Sequence, residues 1–374
     1  MEALQELSNL SGAVLNPAMQ AWKKEGRPVV GYFCSYVPEE IIYAAGALPY
    51  RIRPAGCAQT TSADVYLSHV NCGFVRSCLE YALEGRYDFL DGLVFCNSCD
   101  HVRRLYDVWR ETADHPPLTY MLQVPHRSDD VAAAFYRDDI AIFKENVGKA
   151  FGIRITEEKL KNAIHVYNET RGLLKGLYDL RQAQSPPITG AETLKVVLAA
   201  TVAPRDQYNQ LLRRLLEELK DREGISNYRA RVMIMGGLYD DPAHAQVIED
   251  LGGLVVADTL CFGSRYFWQP VENGHDLLLG LARSYLRHPP CARMSDMIKE
   301  RDDFVSEMVD KFRVDGIIYQ WIRYCDLWGG ELFHLRERLS RSGIPLLSLE
   351  REYAMGGTGQ VATRVQAFLG RIGR

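Results

Sequence analysis

The sequence lacks any apolar run long enough to cross a bilayer. Its longest runs, such as residues 196–202, fall far short of the roughly 18 residues that a membrane-spanning helix needs. The start has no signal-peptide character, because Glu2 and Glu6 stand where such a peptide carries positive charge. Basic residues are not in excess either, since 44 Lys and Arg are set against 48 Asp and Glu. These absences predict a cytoplasmic protein with no membrane segment and no nucleic-acid partner.

Several catalytic and nucleotide-binding motifs are also missing. The sequence contains neither the G-x-x-x-x-G-K-[ST] of a P-loop nor the G-x-S-x-G of a nucleophile elbow. Gly236 and Gly237 follow a predicted strand, but the third glycine of a dinucleotide-binding loop is absent. The nine histidines include no H-x-x-x-H pair. A P-loop ATPase, a hydrolase of the elbow type and a nicotinamide site are therefore disfavoured.

Apolar strands alternate with helical patterns in both halves of the 374-residue chain, which predicts parallel α/β sheets. Between about residues 129 and 221 the pattern instead has a period near 3.6, which predicts helices. We therefore predict an N-terminal α/β domain over 1–128, a largely helical lobe over 129–228 and a C-terminal α/β domain over 229–374. A strand that opens with Asp-Gly precedes a Cys-Asp pair in each half, which indicates two related domains.

The informative residues are the nine cysteines. Five of them come just after predicted strands: Cys34, Cys96, Cys99, Cys261 and Cys325. Ligands of open α/β sheets lie beyond the carboxyl ends of the strands, so these thiols are candidates for a metal centre. The alternative is that they are buried, inert thiols, which is common for free cysteine. The single C-x-x-C at residues 96–99 has no second copy to complete a zinc site.

Five segments together resemble the 2-hydroxyacyl-CoA dehydratase family, which includes subunits of ATP-dependent benzoyl-CoA reductase. They include CSYVPEEIIYAAGALPYRI, PPCARM and VDGIIYQWIRYCDLWGGE, and they cover residues 34–52, 63–109, 289–294, 314–331 and 347–369. The resemblance implies two similar Rossmann- or flavodoxin-like parallel-sheet domains with a helical lobe. It also implies an iron–sulfur cluster between the two domains.

By the same resemblance, a [4Fe-4S] cluster would be held by Cys72, Cys99 and Cys325, with one iron left open. Other cysteines remain candidates for additional ligands: Cys34, Cys78, Cys96, Cys261 and Cys291. Family members pair with a homologous second subunit and receive single low-potential electrons from an ATP-dependent iron–sulfur activator. The electron acts on a CoA thioester, either by forming a ketyl radical anion or, in the reductase branch, by entering an aromatic ring.

Two polar residues of the matched segment 34–52 are candidate catalytic residues. Ser35 could hydrogen-bond a substrate oxygen and Glu39 could move a proton, although both also suit capping of a helix start. Two alternatives remain for the whole chain. One is a homodimeric reductase with a double-cubane [8Fe-9S] cluster, which needs more thiolates. The other is a non-catalytic maturation or scaffold relative.

Overall fold

The computed structural model of the chain describes residues 1–272, 274–353 and 358–373, and it contains two four-stranded parallel sheets. The first sheet has the order β2-β1-β3-β4 and the second has the equivalent order β6-β5-β7-β8. The strands are β1 Val29–Tyr32, β2 Leu48–Arg51, β3 Gly92–Cys96, β4 Leu118–Leu122, β5 Ala230–Gly236, β6 Gly253–Thr259, β7 Gly316–Ile322 and β8 Leu346–Arg351. This confirms the predicted α/β class with two similar parallel sheets.

Fifteen α-helices accompany the sheets in the described part of the chain. They are α1 Glu2–Ser11, α2 Pro17–Lys24, α3 Glu39–Ala44, α4 Gly73–Leu83, α5 Asp100–Thr112, α6 Asp130–Ala150, α7 Glu157–Leu180, α8 Gly190–Ala200, α9 Arg205–Glu218, α10 Pro242–Asp250, α11 Ser264–Phe267, α12 Leu277–Arg287, α13 Ile298–Phe312, α14 Asp326–Arg341 and α15 Thr358–Ile372. No helix among these residues is both long enough and apolar enough to span a membrane. Residues 354–357 of the matched segment 347–369 lie outside the described residues.

Each sheet is covered by helices on both faces, because its strands carry apolar side chains on both sides. In β1, Val30 and Tyr32 enter one core cluster, whereas Val29 and the following Phe33 enter another. Side chains alternate between the two faces of a strand, so a continuous apolar run such as this can only be buried between two layers. The sheet order and the helical cover therefore follow from the same short sequences.

The helices of the middle segment pack on both halves of the molecule. Helix α6 contacts β4 and α12, and α7 contacts α3 and α9. Helix α8 contacts α1, α10 and β6. The same long helix, α7, contributes Leu160 to the core of the first sheet and Leu177 to that of the second. The boundaries near residues 128 and 228 stay a prediction, since the packing is shared between the halves.

The topology positions the site. In each sheet the chain leaves the two central strands in opposite directions, so a crevice opens beyond their carboxyl ends. In the first sheet these strands are β1 and β3, and in the second they are β5 and β7. Gly236 closes β5 with φ of 141°, and a Cβ there would lie 1.8 Å from the carbonyl oxygen of Gln320 in β7. The glycine thus serves close strand packing at the crevice.

Candidate iron–sulfur site

The two crevices face a common cavity of about 330 Å³ between the sheets. Residues from both switch points line it: Phe33 and Ser98 follow β1 and β3, and Gly237 and Ile322 belong to the ends of β5 and β7. Six of the nine cysteines line the same cavity. They are Cys34, Cys72, Cys99, Cys261, Cys291 and Cys325. Four of the five cysteines that follow predicted strands therefore meet at one place in the fold.

Three of these cysteines, which we call the helix-start cysteines, occupy the N-cap positions of three different helices. Cys72 precedes α4, Cys99 precedes α5 and Cys325 precedes α14. A helix N-terminus presents free N–H groups and positive potential, which favours a thiolate. The structure thus brings together all three cysteines that the family resemblance implied as ligands.

Burial opposes ionisation of the helix-start cysteines in the metal-free chain. It raises the pKa of Cys99 to about 12 and raises those of Cys72 and Cys325 as well. Their mutual proximity adds to the rise, because one thiolate disfavours the next. Backbone N–H groups at the helix starts lower the same pKa values. A bound cation that neutralises the thiolates would remove this repulsion.

The other three cysteines, which we call the cation-facing cysteines, are Cys34, Cys261 and Cys291. Cys34 has the left-handed φ of 75°, which is uncommon for a residue other than glycine. The buried Cys96 thiol beside it is the main cause that lowers the pKa of Cys34 to about 5, and Arg51 and Arg293 act in the same direction. Cys261 follows β6 and Cys291 follows α12. Cys57, Cys78 and Cys96 do not line the cavity.

Three arginines that the sequence analysis did not single out also line this cavity: Arg51, Arg265 and Arg293. Each side chain is 3% exposed or less. Two of the three carry a signal in the sequence. Arg51 ends β2, where a strand delivers its last side chain to the crevice, and Arg293 stands two residues after a matched cysteine.

The two predicted catalytic residues lie in different surroundings. Ser35 lines the cavity, and its hydroxyl makes no hydrogen bond within the described residues. Glu39 does not line the cavity; its buried carboxylate pairs with Arg205 at 3.1 Å and accepts hydrogen bonds from Tyr32 and, at 2.8 Å, from Tyr266. Burial raises the pKa of Glu39, and Arg205 opposes that shift. Catalysis by either residue stays a prediction.

A larger cavity of about 710 Å³ also lies between the halves, but its chemistry is different. Only one cysteine, Cys57, lines it among the described residues. Its polar lining includes Arg53, Lys195, Asp240 and His244. The smaller cavity is therefore the better candidate for a thiolate-bound cofactor, despite its smaller volume.

The donor set of the smaller cavity fits a cluster better than a single metal ion. Within the described residues, no three His, Cys, Asp or Glu side chains converge as a site for one ion. A four-iron cluster does not require such convergence, because each thiolate binds a different iron. All three helix-start cysteines face one cavity and lie near positive helix ends. Their thiols are the kind of ligand that an iron–sulfur cluster takes.

Comparison with known proteins places the chain in a family. Residues 34–372 match the model of the 2-hydroxyglutaryl-CoA dehydratase D-component. The chain is 28% identical to a benzoyl-CoA reductase subunit of Thauera aromatica, with 89% of this chain and 88% of that protein covered. It is 24% identical to the (R)-phenyllactyl-CoA dehydratase beta subunit of Clostridium sporogenes, with 94% and 93% covered. It is also 24% identical to the beta subunit of lactoyl-CoA dehydratase of Anaerotignum propionicum, with 97% of both covered. The chain therefore belongs to the 2-hydroxyglutaryl-CoA dehydratase D-component family.

Proposed function

We propose that the chain is the iron–sulfur subunit of an enzyme of the 2-hydroxyacyl-CoA dehydratase or benzoyl-CoA reductase type. One observation carries the proposal: Cys72, Cys99 and Cys325, which are far apart in sequence, line one cavity at three helix starts. Thiolates are the usual ligands of iron–sulfur clusters. These three residues would hold a [4Fe-4S] cluster, which when bound supplies single low-potential electrons.

The substrate class is a CoA thioester. The relatives named above act, by their names, on benzoyl, phenyllactyl and lactoyl thioesters, so the acyl group differs within the family. In this chain Ser35 lies on the cavity wall with a free hydroxyl that can donate a hydrogen bond to a thioester oxygen. Phe33, Phe74 and Trp328 supply the apolar part of the wall, which limits access of water.

Glu39 has a narrower role in this proposal than direct contact with substrate. Its carboxylate is tied to Arg205 and to the hydroxyl of Tyr32. Tyr32 precedes the cavity-lining Phe33, and Arg51 lies close enough to influence the pKa of Tyr32. Glu39 thus acts as a positioning residue behind the cavity.

Two partners complete the proposal. The relatives are themselves named as subunits, two of them as beta subunits, which supports a homologous second subunit for this chain. An ATP-dependent iron–sulfur activator would deliver the electrons.

A second candidate is the homodimeric reductase with a double-cubane [8Fe-9S] cluster. The observation that favours it is the set of three cation-facing cysteines, which share the cavity with the helix-start cysteines. Cys34, Cys261 and Cys291 would then supply the additional thiolates. The two candidates differ in iron content, since a double cubane holds twice the iron of a single one.

The test is anaerobic purification of the chain, alone and with its partner subunit, followed by iron and acid-labile sulfide analysis. About four of each per chain are expected for one cubane, and about eight irons for the second candidate. Binding of benzoyl-CoA and lactoyl-CoA to the loaded chain is then measured. Iron without thioester binding by the chain or the complex would favour the maturation or scaffold relative. No iron under strict exclusion of oxygen, with the partner present, would refute both candidates.

A further inference from the structure

Three buried guanidinium groups surround one side of the cysteine cavity. Arg51 comes from the end of β2, Arg265 from α11 and Arg293 from the loop after α12. Their side chains are 3%, 2% and 2% exposed. Burying a cation is costly unless a negative charge compensates it. The three buried guanidinium groups therefore require a negative charge nearby.

No described carboxylate pairs with any of these three arginines. Arg51 donates to the carbonyl of Cys261 at 2.5 Å and stacks on the ring of Phe262. Arg293 donates to the carbonyls of Ser98, Val124 and Pro125, which are at 3.3, 2.9 and 2.7 Å. These partners are neutral, so they satisfy N–H groups without cancelling charge.

Arg265 is the least satisfied of the three. It donates one hydrogen bond, to the carbonyl of Gly236 at 3.2 Å, and lies over the ring of Trp328. Its Nε and Nη1 atoms are buried without a partner within the described part of the chain. An N–H that is buried unpaired is expensive in a finished fold, so such atoms indicate a partner that binds later.

Other buried arginines show what compensation looks like in this fold. Arg171 pairs with Glu40 at 2.7 Å, Arg205 with Glu39 and Arg301 with Glu331, both at 3.1 Å. Arg53, Arg181 and Arg231 are also buried and bond to carbonyls, but they do not line the cysteine cavity. Among the residues that the structure describes, the first trio alone combines buried, uncompensated charge with a common cavity.

The acidic groups that face this trio inside the cavity are thiols. Outside the cavity, Arg51 also interacts electrostatically with Glu39, whose carboxylate already pairs with Arg205. Arg51 interacts electrostatically with Cys34 and Cys261, Arg293 with Cys34, Cys96 and Cys291, and Arg265 with Cys291. The carboxylates that line the cavity, Asp100 and Asp326, are largely exposed at 69% and 85% and so lie at its mouth. The low pKa of Cys34, about 5, supplies one thiolate against three guanidinium groups, so the interior still carries a net positive charge before any cofactor is bound.

We propose, resting on the function proposed above, that Arg51, Arg265 and Arg293 set the reduction potential of the cluster in this cavity. Reduction adds one electron to an already anionic assembly of iron, sulfide and thiolate. Fixed cations in a buried site stabilise the reduced state more than the oxidised state and so raise the potential. The three arginines are not catalytic residues, because they act on the electron affinity of the cluster and do not contact the substrate.

The test is an anaerobic redox titration of the loaded chain, in which the reduced cluster is followed by electron paramagnetic resonance. Arg265→Met is the most informative variant, since it removes a charge and leaves a single carbonyl without its donor. At a fixed ambient potential the ratio of reduced to oxidised cluster should fall about tenfold, the order expected for one unit charge roughly 12 Å from the cluster at an effective dielectric constant of about 20. For a one-electron couple this is a shift of about 59 mV to lower potential. Arg265→Lys should restore most of it.

The matched control is Arg231→Met. Arg231 is also buried, at 6% exposed against 2% for Arg265. It bonds to the carbonyls of Arg181, Ala183 and Phe312, and lies at the opposite end of β5 from the cavity. An equal shift of the reduction potential in the control, or no shift in Arg265→Met with iron retained, would overturn the inference.

Weaker thioester binding by Arg265→Met at an unchanged reduction potential would overturn it too, since the arginines would then serve the substrate. If Arg265→Met does not fold, Arg51→Met is titrated in the same way. Absence of iron from the wild-type chain is a different result and removes the proposed function itself.

Discussion

Two cavities lie between the halves of this molecule, and the larger one is not the better functional site. The larger cavity, of about 710 Å³, has one cysteine and a mixture of basic and acidic side chains in its wall. The smaller, of about 330 Å³, has six cysteines and three uncompensated arginines. Its wall comes from the switch points of both sheets. The difference teaches that the site is identified by the metal-binding side chains in the cavity wall and by the position of the cavity at the switch points of the sheets. Cavity volume alone does not identify it.

The largest expected effect concerns the helix-start cysteines. The double variant Cys99→Ala/Cys325→Ala should lose all cluster iron, because two of three thiolate ligands are removed. Anaerobic iron analysis and the visible absorbance of the cluster measure the loss. Cys57→Ala is the control from the larger cavity, where the thiol donates to the backbone carbonyl of Gln59, and it should keep the full iron content. If the double variant kept as much iron as Cys57→Ala, the cluster would not be bound by the helix-start cysteines of the smaller cavity.

The next effect separates the two cysteine groups within the smaller cavity. The triple variant Cys34→Ala/Cys261→Ala/Cys291→Ala should keep about four irons per chain if one cubane is bound by the helix-start cysteines. A drop to about half of the wild-type iron would instead favour the double cubane. Complete loss of iron would contradict the division into two groups.

In the larger cavity, the expected effect is on stability and not on iron. Burial lowers the pKa of His244 to about 4, and Arg351 acts in the same direction. Between pH 6.5 and 4 the unfolded chain binds a proton at His244 that the folded chain does not. The free energy of unfolding therefore decreases as the pH is lowered through this window. The slope from one proton is at most about 1.4 kcal/mol per pH unit.

Urea unfolding of the iron-free chain at several pH values between about 7.5 and 4.5 measures this slope. His244→Gln should reduce the slope, because the variant has no imidazole to titrate at this position; His288, whose pKa burial lowers to about 3, still contributes. His115→Gln, at an exposed surface position, should leave the slope unchanged. A slope that is the same in wild type and His244→Gln would show that the larger cavity does not hold a neutral histidine.

The smallest expected effect is that of Ser35→Ala on thioester binding. The variant removes one hydrogen-bond donor from the smaller cavity, which costs about 1 kcal/mol and weakens thioester affinity about fivefold. Ser11→Ala is the matched change in the larger cavity and should leave affinity unchanged. Calorimetry with the loaded chain makes the measurement. Equal losses in the two variants would contradict assignment of the substrate to the smaller cavity.

The sequence alone predicted much of the fold for a clear physical reason. Doubly buried strands such as 231–236 are short apolar runs between turn residues, and the structure places β5 over Ala230–Gly236. Strand β4 gives a weaker sequence signal, because its central residues Thr119, Tyr120 and Met121 are only half-buried and Thr119 interrupts the apolar run. The apolar pattern that identifies a strand in the sequence reflects the burial of its side chains, so a strand at the edge of a sheet gives the weakest pattern.

The site was predictable only in part. Cys99 and Cys325 follow strands, and their meeting across the cavity agrees with the strand-end argument. Cys72 precedes a helix and does not follow a strand, so it came from the family resemblance alone. The pairing of Glu39 with Arg205 joins residues 166 positions apart and has no local sequence signal. Arg265 is likewise distant in sequence from most of the cysteines that share its cavity.

The central claim is that Cys72, Cys99 and Cys325 bind one iron–sulfur cluster between the two sheets. The most direct measurement is a crystal structure of the anaerobically purified chain with an anomalous difference map at the iron edge. We expect iron density inside the smaller cavity, bonded to the sulfur atoms of these three residues. Iron bonded to other residues, or a cavity without iron in a chain that contains it, would contradict the account.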